Sequence, residues 1–248
     1  MRDLLSNALT LLCLCAMAAL VYLNRNTLLE DPIPYLGRDA TISEIRVAQR
    51  QFIAPGLKKA GFAFGAPAYI RIFKEEAELE LWLKRGGTYA LWKAYPICSF
   101  SGDLGPKLRE GDRQSPEGFY TVGLSALNPN SSYHLSFNLG FPNPYDRARS
   151  RTGSFLMVHG DCLSIGCYAM TDPAIEQIYV MVEAALRSGQ RTVPVHAFPF
   201  RMTRARLAAE ADYQWYGFWR ELQPAYLEFE RTRIPPEIRQ SGGRYLIQ

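Results

Sequence analysis

The most informative stretch of the chain is residues 157–172, which read MVHGDCLSIGCYAMTD. It brings His159 and Cys167 close together in sequence. Eight fully extended residues would span about 26 Å, so the two side chains can meet only if the connection between them folds back. Gly160 and Gly166 permit such a reversal because they have no Cβ atom. The stretch therefore predicts an imidazole and a thiol facing each other across a tight loop.

A histidine beside a cysteine suits nucleophilic catalysis. A thiol with a pKa of about 8.5 is mostly protonated at neutral pH. An imidazole that takes the proton turns the thiol into a thiolate, which is a strong nucleophile. We predict Cys167 as the nucleophile and His159 as its base. Backbone N–H groups at Gly166 and Cys167 are candidate donors to an oxyanion. Asp161 and Ser164 either orient the loop or the imidazole, or are ordinary turn residues.

The pattern His-Gly followed by Ser-x-Gly-Cys resembles the active-site signature of the L,D-transpeptidase (YkuD-like) catalytic domain family. The similarity extends from about Tyr69 to Thr203 and is closest to one Gram-negative branch with a short gap between His and Cys. Ile165 stands where the wider family has His, and Ala169 where it has Arg; the branch shares both differences. The stretches that carry the resemblance outside the motif are Gly102–Lys107, Ser115–Tyr120, Tyr133–Asp146, Arg151–Ser154 and Pro194–Thr203.

The resemblance implies an α+β fold built on a mixed β-sheet, with no cofactor. It implies that Cys167 attacks the carbonyl at the L-centre of meso-diaminopimelate in a peptidoglycan stem peptide and forms a thioester. Some members of the family then transfer the acyl group to an amine, which can belong to an outer-membrane lipoprotein lysine. Others are hydrolases that release a lipoprotein or a cross-link. The sequence leaves transfer and hydrolysis open.

Two non-enzymatic interpretations compete with catalysis. A metal-binding module would use His159, Asp161, Cys162 and Cys167, but their spacing fits no zinc pattern, and we predict no metal site. A disulfide between Cys162 and Cys167 would leave a scaffold that only holds peptidoglycan. Cys162 could instead stay as a small apolar residue or pair with Cys98.

The N-terminus indicates export. Arg2 precedes the apolar stretch Ala8–Leu23, which predicts a signal peptide or short membrane anchor over residues 1–23. A bilayer span needs about 20 apolar residues, and this stretch is shorter. We therefore expect cleavage in preference to a membrane tether. The expected location is the periplasm, an oxidising compartment. Cys13 and Cys15 would leave with the signal, and of the three cysteines then remaining at least one must be unpaired.

Composition excludes some classes of function. The net charge of +4 is small and evenly spread along the 248 residues, so the chain offers no nucleic-acid groove. The length suits one catalytic domain. We predict a linker and helix over 24–65, the catalytic domain over 66–202 and a helical appendage over 203–248.

The predicted elements alternate between helix and strand. A capping box at Thr41 begins a helix that we expect to stop at Pro55-Gly56, and Asp172-Pro173 begins another that stops at Gly189. We also predict a helix at Glu75–Lys84. The predicted strands are Tyr69–Phe73, Thr88–Cys98, Phe119–Val122, Ser154–Val158, Val193–Met202 and Arg244–Ile247.

Several further side chains have more than one interpretation. His134 is a candidate for the cleft. Arg151 either meets a substrate carboxylate or lies on the surface, and His196 is expected to be structural. Lys107 and Gln114 receive no role. Aromatic residues of the appendage favour a core over a sugar-binding face; they are Trp215, Trp219, Tyr226 and Phe229.

Overall fold

The structure is a computed structural model that describes residues 32–248. The leader predicted over residues 1–23 lies outside the described residues. The described residues form helices, two mixed five-stranded β-sheets and a two-stranded hairpin, so the predicted α+β class is confirmed. Within the described part of the chain, no helix has the length and apolarity that a membrane span requires.

The first sheet has five strands in the order β3-β2-β1-β10-β5. Its strands β1 and β10 run parallel, and its other neighbours are antiparallel. The central strands are buried on both faces, which is typical of a sheet covered on each side. The bounds are β1 (Ala68–Phe73), β2 (Glu78–Arg85), β3 (Thr88–Pro96), β5 (Gly118–Val122) and β10 (Val193–Phe198).

The helix predicted at Glu75–Lys84 is wrong, because this segment forms strand β2. Glutamate and leucine favour a helix locally, but apolar residues alternate here with a period of two, and Leu79 and Leu81 are fully buried. Glu80, between them, lies opposite Arg71 of β1 and accepts a hydrogen bond from it at 2.8 Å. Burial and this cross-strand ion pair override the local helix propensity.

The second sheet, in the order β4-β9-β8-β7-β6, carries the 157–172 motif. The expected strand at Ser154–Val158 begins too early, because Ser154 and Phe155 are exposed and Phe155 has a φ of 53°. Such a left-handed backbone does not continue a strand. The bounds are β4 (Ser99–Phe100), β6 (Leu127–Ser131), β7 (His134–Asn138), β8 (Met157–His159) and β9 (Tyr168–Ala169).

The long helix α3 (Asp172–Arg187) packs against β7 and β8 of this sheet, and a second long helix, α1 (Ile42–Ala60), packs against α3. The capping box predicted at Thr41 is confirmed, but the stop at Pro55-Gly56 is wrong. Residues spaced by four remain buried past Pro55, and α1 ends at Gly61, whose φ is 72°. A short helix α2 (Pro144–Ala148) and a 3₁₀ turn at Leu124–Ala126 complete this part.

The C-terminal segment shares a core with the first sheet. It contains a hairpin as well as the predicted helices, and β10 ends at Phe198 instead of Met202. Trp219 is fully buried and donates to Glu117 at 2.8 Å, and Glu117 pairs with the buried Lys74. Its elements are α4 (Arg204–Ala208), α5 (Tyr216–Thr232), β11 (Ile238–Ser241) and β12 (Arg244–Ile247).

Candidate active site

The strand register brings His159 and Cys167 together. Strands β8 and β9 run parallel, with Val158 paired to Tyr168 and His159 paired to Ala169. Cys167 lies two residues before Ala169, so the register puts its side chain on the face that carries His159. A strand separation of about 4.8 Å and a rise of about 3.3 Å per residue place the two Cα atoms about 8 Å apart.

The thiol of Cys167 contacts the backbone in this structure. It accepts from the Met157 amide nitrogen at 3.4 Å and donates to the Phe155 carbonyl oxygen at 3.6 Å. Burial raises the thiol pKa, and the Met157 amide and the charge of Lys107 oppose that rise only in part. Within the described residues no hydrogen bond joins this thiol to His159, so proton transfer requires rotation about the Cys167 Cα–Cβ bond.

The imidazole of His159 is held by its own loop. Its Nδ1 lies 2.5 Å from the Gly160 carbonyl oxygen, and its ring centroid lies 4.8 Å from that of Tyr133. A carbonyl oxygen can only accept, so Nδ1 carries the proton and Nε2 keeps its lone pair. Burial lowers the pKa of His159, against the opposing effects of the Gly160 carbonyl and the Asp161 charge. The imidazole is therefore set up as a neutral base.

Three serine hydroxyls hold the backbone on either side of the peptide that links Gly166 to Cys167. Ser115 and Ser164 donate to the Cys167 carbonyl oxygen at 2.8 and 2.7 Å. Ser101 accepts the Gly166 N–H at 2.5 Å. That N–H is therefore not free for an oxyanion, contrary to the expectation from sequence. Sequence reasoning missed Ser101 and Ser115, because both come from a distant loop.

The loop after His159 packs tightly against the start of α3. Asp161 donates its backbone N–H to Asp172 Oδ1 at 2.8 Å. A Cβ atom on Gly160 would lie 2.5 Å from the same oxygen and 3.0 Å from the Tyr133 carbonyl oxygen. Only glycine fits there.

A disulfide ties the same loop to the end of β3. Cys98 and Cys162 are bonded, and Cys167 is the free cysteine among residues 32–248. The alternative disulfide between Cys162 and Cys167 is therefore wrong. The metal-binding alternative loses Cys162 as a ligand, and no three His, Cys, Asp or Glu side chains cluster as a metal site in the described residues.

Comparison with known proteins identifies the family of the chain. The model of the L,D-transpeptidase catalytic domain (YkuD) matches residues 67–196, which is more than half of the chain. The chain belongs to the L,D-transpeptidase catalytic domain family.

Relatives in this L,D-transpeptidase family include YafK of Escherichia coli K12, which its name assigns to the L,D-transpeptidases. The two sequences are 50% identical over 183 residues, covering 74% of each chain, and YafK of E. coli O157:H7 gives the same values. Among solved structures, the helical cell shape determining protein Pgp2 of Campylobacter jejuni is 17% identical, with a TM-score of 0.44, over 75% of this chain and 79% of Pgp2. Bd1075 of Bdellovibrio bacteriovorus is 16% identical, with a TM-score of 0.38, over 67% and 55%.

A buried lysine of this L,D-transpeptidase domain lies near the Cys167 thiol. Lys107 donates to Asp112 at 2.5 Å and to the Arg109 carbonyl oxygen at 2.9 Å, and its charge lowers the thiol pKa. Its Cε would lie 2.6 Å from a Cβ atom on Gly153. Sequence reasoning left Lys107 unassigned because nothing in the chain order links it to Cys167.

The two remaining candidate side chains, His134 and Arg151, have partners inside the fold, and so does Gln114, which received no role from the sequence. His134 bonds to Glu176 at 2.7 Å with its side chain only 3% exposed. Arg151 is buried against Asp146 at 2.9 Å, so it is neither a surface residue nor free for a substrate carboxylate. Gln114 bonds to backbone atoms of residues 103 and 105.

His196 and the buried aromatic residues of the appendage have structural roles. His196 bonds to the Tyr69 hydroxyl at 2.8 Å, and burial, with the charge of Arg71, lowers its pKa to about 3. Trp219 and Phe229 are fully buried. These side chains fill the core, as the sequence predicts.

Exposed apolar side chains lie close to Cys167 in the chain or carry backbone that contacts it. Phe155, Leu163 and Ile165 are 73%, 67% and 80% exposed. Ile165 and Leu163 lie in the loop that leads to Cys167, and the Phe155 carbonyl oxygen contacts the thiol. The rim of the candidate site is therefore apolar.

Proposed function

We propose that this chain is a cysteine acyltransferase of peptidoglycan that works through a thioester on Cys167, with His159 as general base. The observation that supports the proposal is the β8–β9 register, in which His159 pairs with Ala169, two residues after the free thiol of Cys167. Family membership supports peptidoglycan stem peptides as substrates, and the L-centre of meso-diaminopimelate as the point of attack.

Each step of the reaction has a group on this face. Nε2 of His159 takes the thiol proton as Sγ of Cys167 bonds to the substrate carbonyl carbon. The Cys167 N–H is the candidate oxyanion donor, since the Gly166 N–H is donated to Ser101. The carbon–nitrogen bond then breaks, the imidazolium protonates the leaving amine, and a thioester remains.

The thioester has two possible acceptors. An amine that gives its proton to His159 and bonds to the acyl carbon makes a new amide, while water makes a free carboxylate. Either step releases the Cys167 thiolate, which the imidazolium reprotonates. We propose transfer to an amine, with the lysine of an outer-membrane lipoprotein as a candidate acceptor; hydrolysis that releases such a lipoprotein or a cross-link is the alternative.

The periplasm is the proposed compartment. The Cys98–Cys162 disulfide supports an oxidising environment, and the leader predicted over residues 1–23 supports export, with or without a remaining tether.

Incubation with defined muropeptides tests the proposal. Purified protein is mixed with disaccharide tetrapeptides, with and without an added lysine-containing peptide, and the products are weighed by mass spectrometry. A new cross-link identifies the transferase, and a gain of one water identifies the hydrolase. Cys167→Ala is the control, and we expect it to give no product and no trapped thioester. Turnover by Cys167→Ala at the rate of the unmodified protein contradicts the proposal.

A further inference from the structure

The segment before α1 lies against the loop that follows His159. Arg38 donates through Nε to Asp172 Oδ2 at 3.0 Å and also pairs with Asp161. Tyr35 donates its hydroxyl to the same Asp172 oxygen at 3.1 Å. Arg38 therefore bridges the carboxylates of Asp161 and Asp172, although it lies in a segment that is predicted from sequence to be a linker.

Asp172 transmits this contact to the backbone of the loop. Its Oδ1 accepts the Asp161 N–H at 2.8 Å and would lie 2.5 Å from a Cβ atom at Gly160. Burial favours the neutral form of this carboxyl, but hydrogen bonds from Asp161, Tyr35 and Arg38 outweigh it and lower its pKa. The carboxylate therefore stays charged and paired with Arg38 at neutral pH.

Gly160 in turn determines how the imidazole is used. Its carbonyl oxygen accepts from Nδ1 of His159, which leaves Nε2 as the basic nitrogen. That carbonyl and the Asp161 N–H belong to one peptide group, so Asp172, which accepts this N–H and is held by Arg38, contacts the same peptide. A continuous series of contacts thus runs from an exposed arginine to the ring of His159.

We infer that Arg38 is a positioning residue for the reaction, which acts through Asp172 to fix the Gly160 carbonyl and with it the tautomer of His159. In the described part of the chain, the hydrogen bonds of the Cys167 thiol go to Met157 and Phe155 and not to Arg38. The inference rests on the proposed function, in which His159 is the base. It assigns the segment before α1 to the active site.

A second arginine of the same region offers a matched control. Arg46 of α1 pairs with Glu183 of α3 through two contacts of 2.6 Å. Its side chain is 38% exposed, against 47% for Arg38. Arg46→Ala therefore loosens the N-terminal segment without touching Asp172.

Nitrogen-15 NMR of the imidazole rings tests the inference without turnover. The chain has three histidines, and His159→Gln assigns the signal of interest in the full-length protein. We expect the unmodified protein and the control Arg46→Ala to keep the proton of His159 on Nδ1. We expect Arg38→Ala to show both tautomers. An unchanged His159 ring in Arg38→Ala overturns the inference.

Turnover of disaccharide tetrapeptides separates this inference from the proposed function. We expect Arg38→Ala to lower kcat by about tenfold to a hundredfold with little change in KM, and Arg38→Lys to recover part of the loss. An equal loss in Arg46→Ala overturns the inference, because general docking then explains the effect. A changed tautomer with unchanged kcat upholds the positioning by Arg38 and contradicts the base role of His159.

Discussion

Nδ1 of His159 lies 2.5 Å from the carbonyl oxygen of Gly160, the next residue in the chain. This contact makes Nε2 the basic nitrogen, while burial lowers the pKa of the imidazole and raises that of the Cys167 thiol. Both shifts favour the uncharged forms. The resting pair is therefore a neutral thiol beside a neutral imidazole, and the thiolate forms only as substrate is attacked.

The neutral pair predicts how alkylation of Cys167 depends on pH. Iodoacetamide reacts with the thiolate, so we expect slow labelling at pH 7 and a rise in rate whose midpoint lies above the ordinary thiol pKa. Peptide mass analysis after timed labelling measures the rate at Cys167 alone. A constant fast rate from about pH 5 to 7 would instead indicate a thiolate–imidazolium pair and contradict this prediction.

The same shifts predict the acid side of the activity profile. His159 must be unprotonated to act, and its pKa lies below the ordinary value, so kcat/KM should fall only as the pH drops below about 6.5. His159→Gln should lower kcat by about 10² to 10⁴ and remove this limb. Rates of muropeptide turnover between pH 4 and 8 measure both effects. An acid limb well above pH 7 contradicts the prediction.

Gly160 allows no side chain. Gly160→Ala puts a methyl group 2.5 Å from Asp172 Oδ1 and 3.0 Å from the Tyr133 carbonyl oxygen. We expect it to lower the free energy of unfolding by about 1 to 3 kcal/mol and to reduce turnover, because the loop carrying the His159 acceptor must move. Thermal unfolding and the muropeptide assay measure the two effects.

Gly217 provides the matched control for this substitution. It lies in α5 with no atom within 4 Å of an added Cβ, so Gly217→Ala should be neutral or stabilise by up to about 1 kcal/mol. Equal behaviour of the two alanine variants would mean that the loop at Gly160 is not tightly packed.

Removal of the Lys107 charge should make the thiol harder to ionise. The charge lowers the pKa of Cys167, so Lys107→Met should move the midpoint of the alkylation profile to higher pH. The variant leaves Asp112 without its cation, which destabilises the loop. Lys107→Met combined with Asp112→Asn removes both charges and isolates the effect on the thiol. An unchanged midpoint in both proteins contradicts a role for this charge.

The sequence predicted the elements whose signals are local. Thr41 and Thr171 cap α1 and α3, and both helices begin where capping patterns predict. The 157–172 motif likewise singled out His159 and Cys167, whose roles as base and nucleophile stay a prediction. Each of these signals lies within a few residues of its effect.

Features that depend on distant partners could not be predicted. The sequence around Glu80 favours a helix, and only its pairing with Arg71 in the neighbouring strand accounts for the observed strand. Arg151 resembles a surface residue in sequence, because its partner Asp146 is revealed only by the structure. Arg38 reads as part of a linker for the same reason. A side chain's role here is fixed by a partner many residues away, and one sequence does not reveal that pairing.

The disulfide should stabilise both the fold and the active-site loop. Cys98 and Cys162 are 64 residues apart, and closing a loop of that length stabilises a protein by about 4 kcal/mol through the unfolded chain. We expect Cys98→Ala with Cys162→Ala to lower the free energy of unfolding by a large part of that amount, measured by urea titration under oxidising conditions. Turnover should fall as well, because Cys162 lies three residues beyond His159. Cys167→Ala breaks no covalent bond and serves as the control, which should unfold close to the unmodified protein. An unchanged free energy of unfolding in the double variant would contradict the stabilising role of the disulfide.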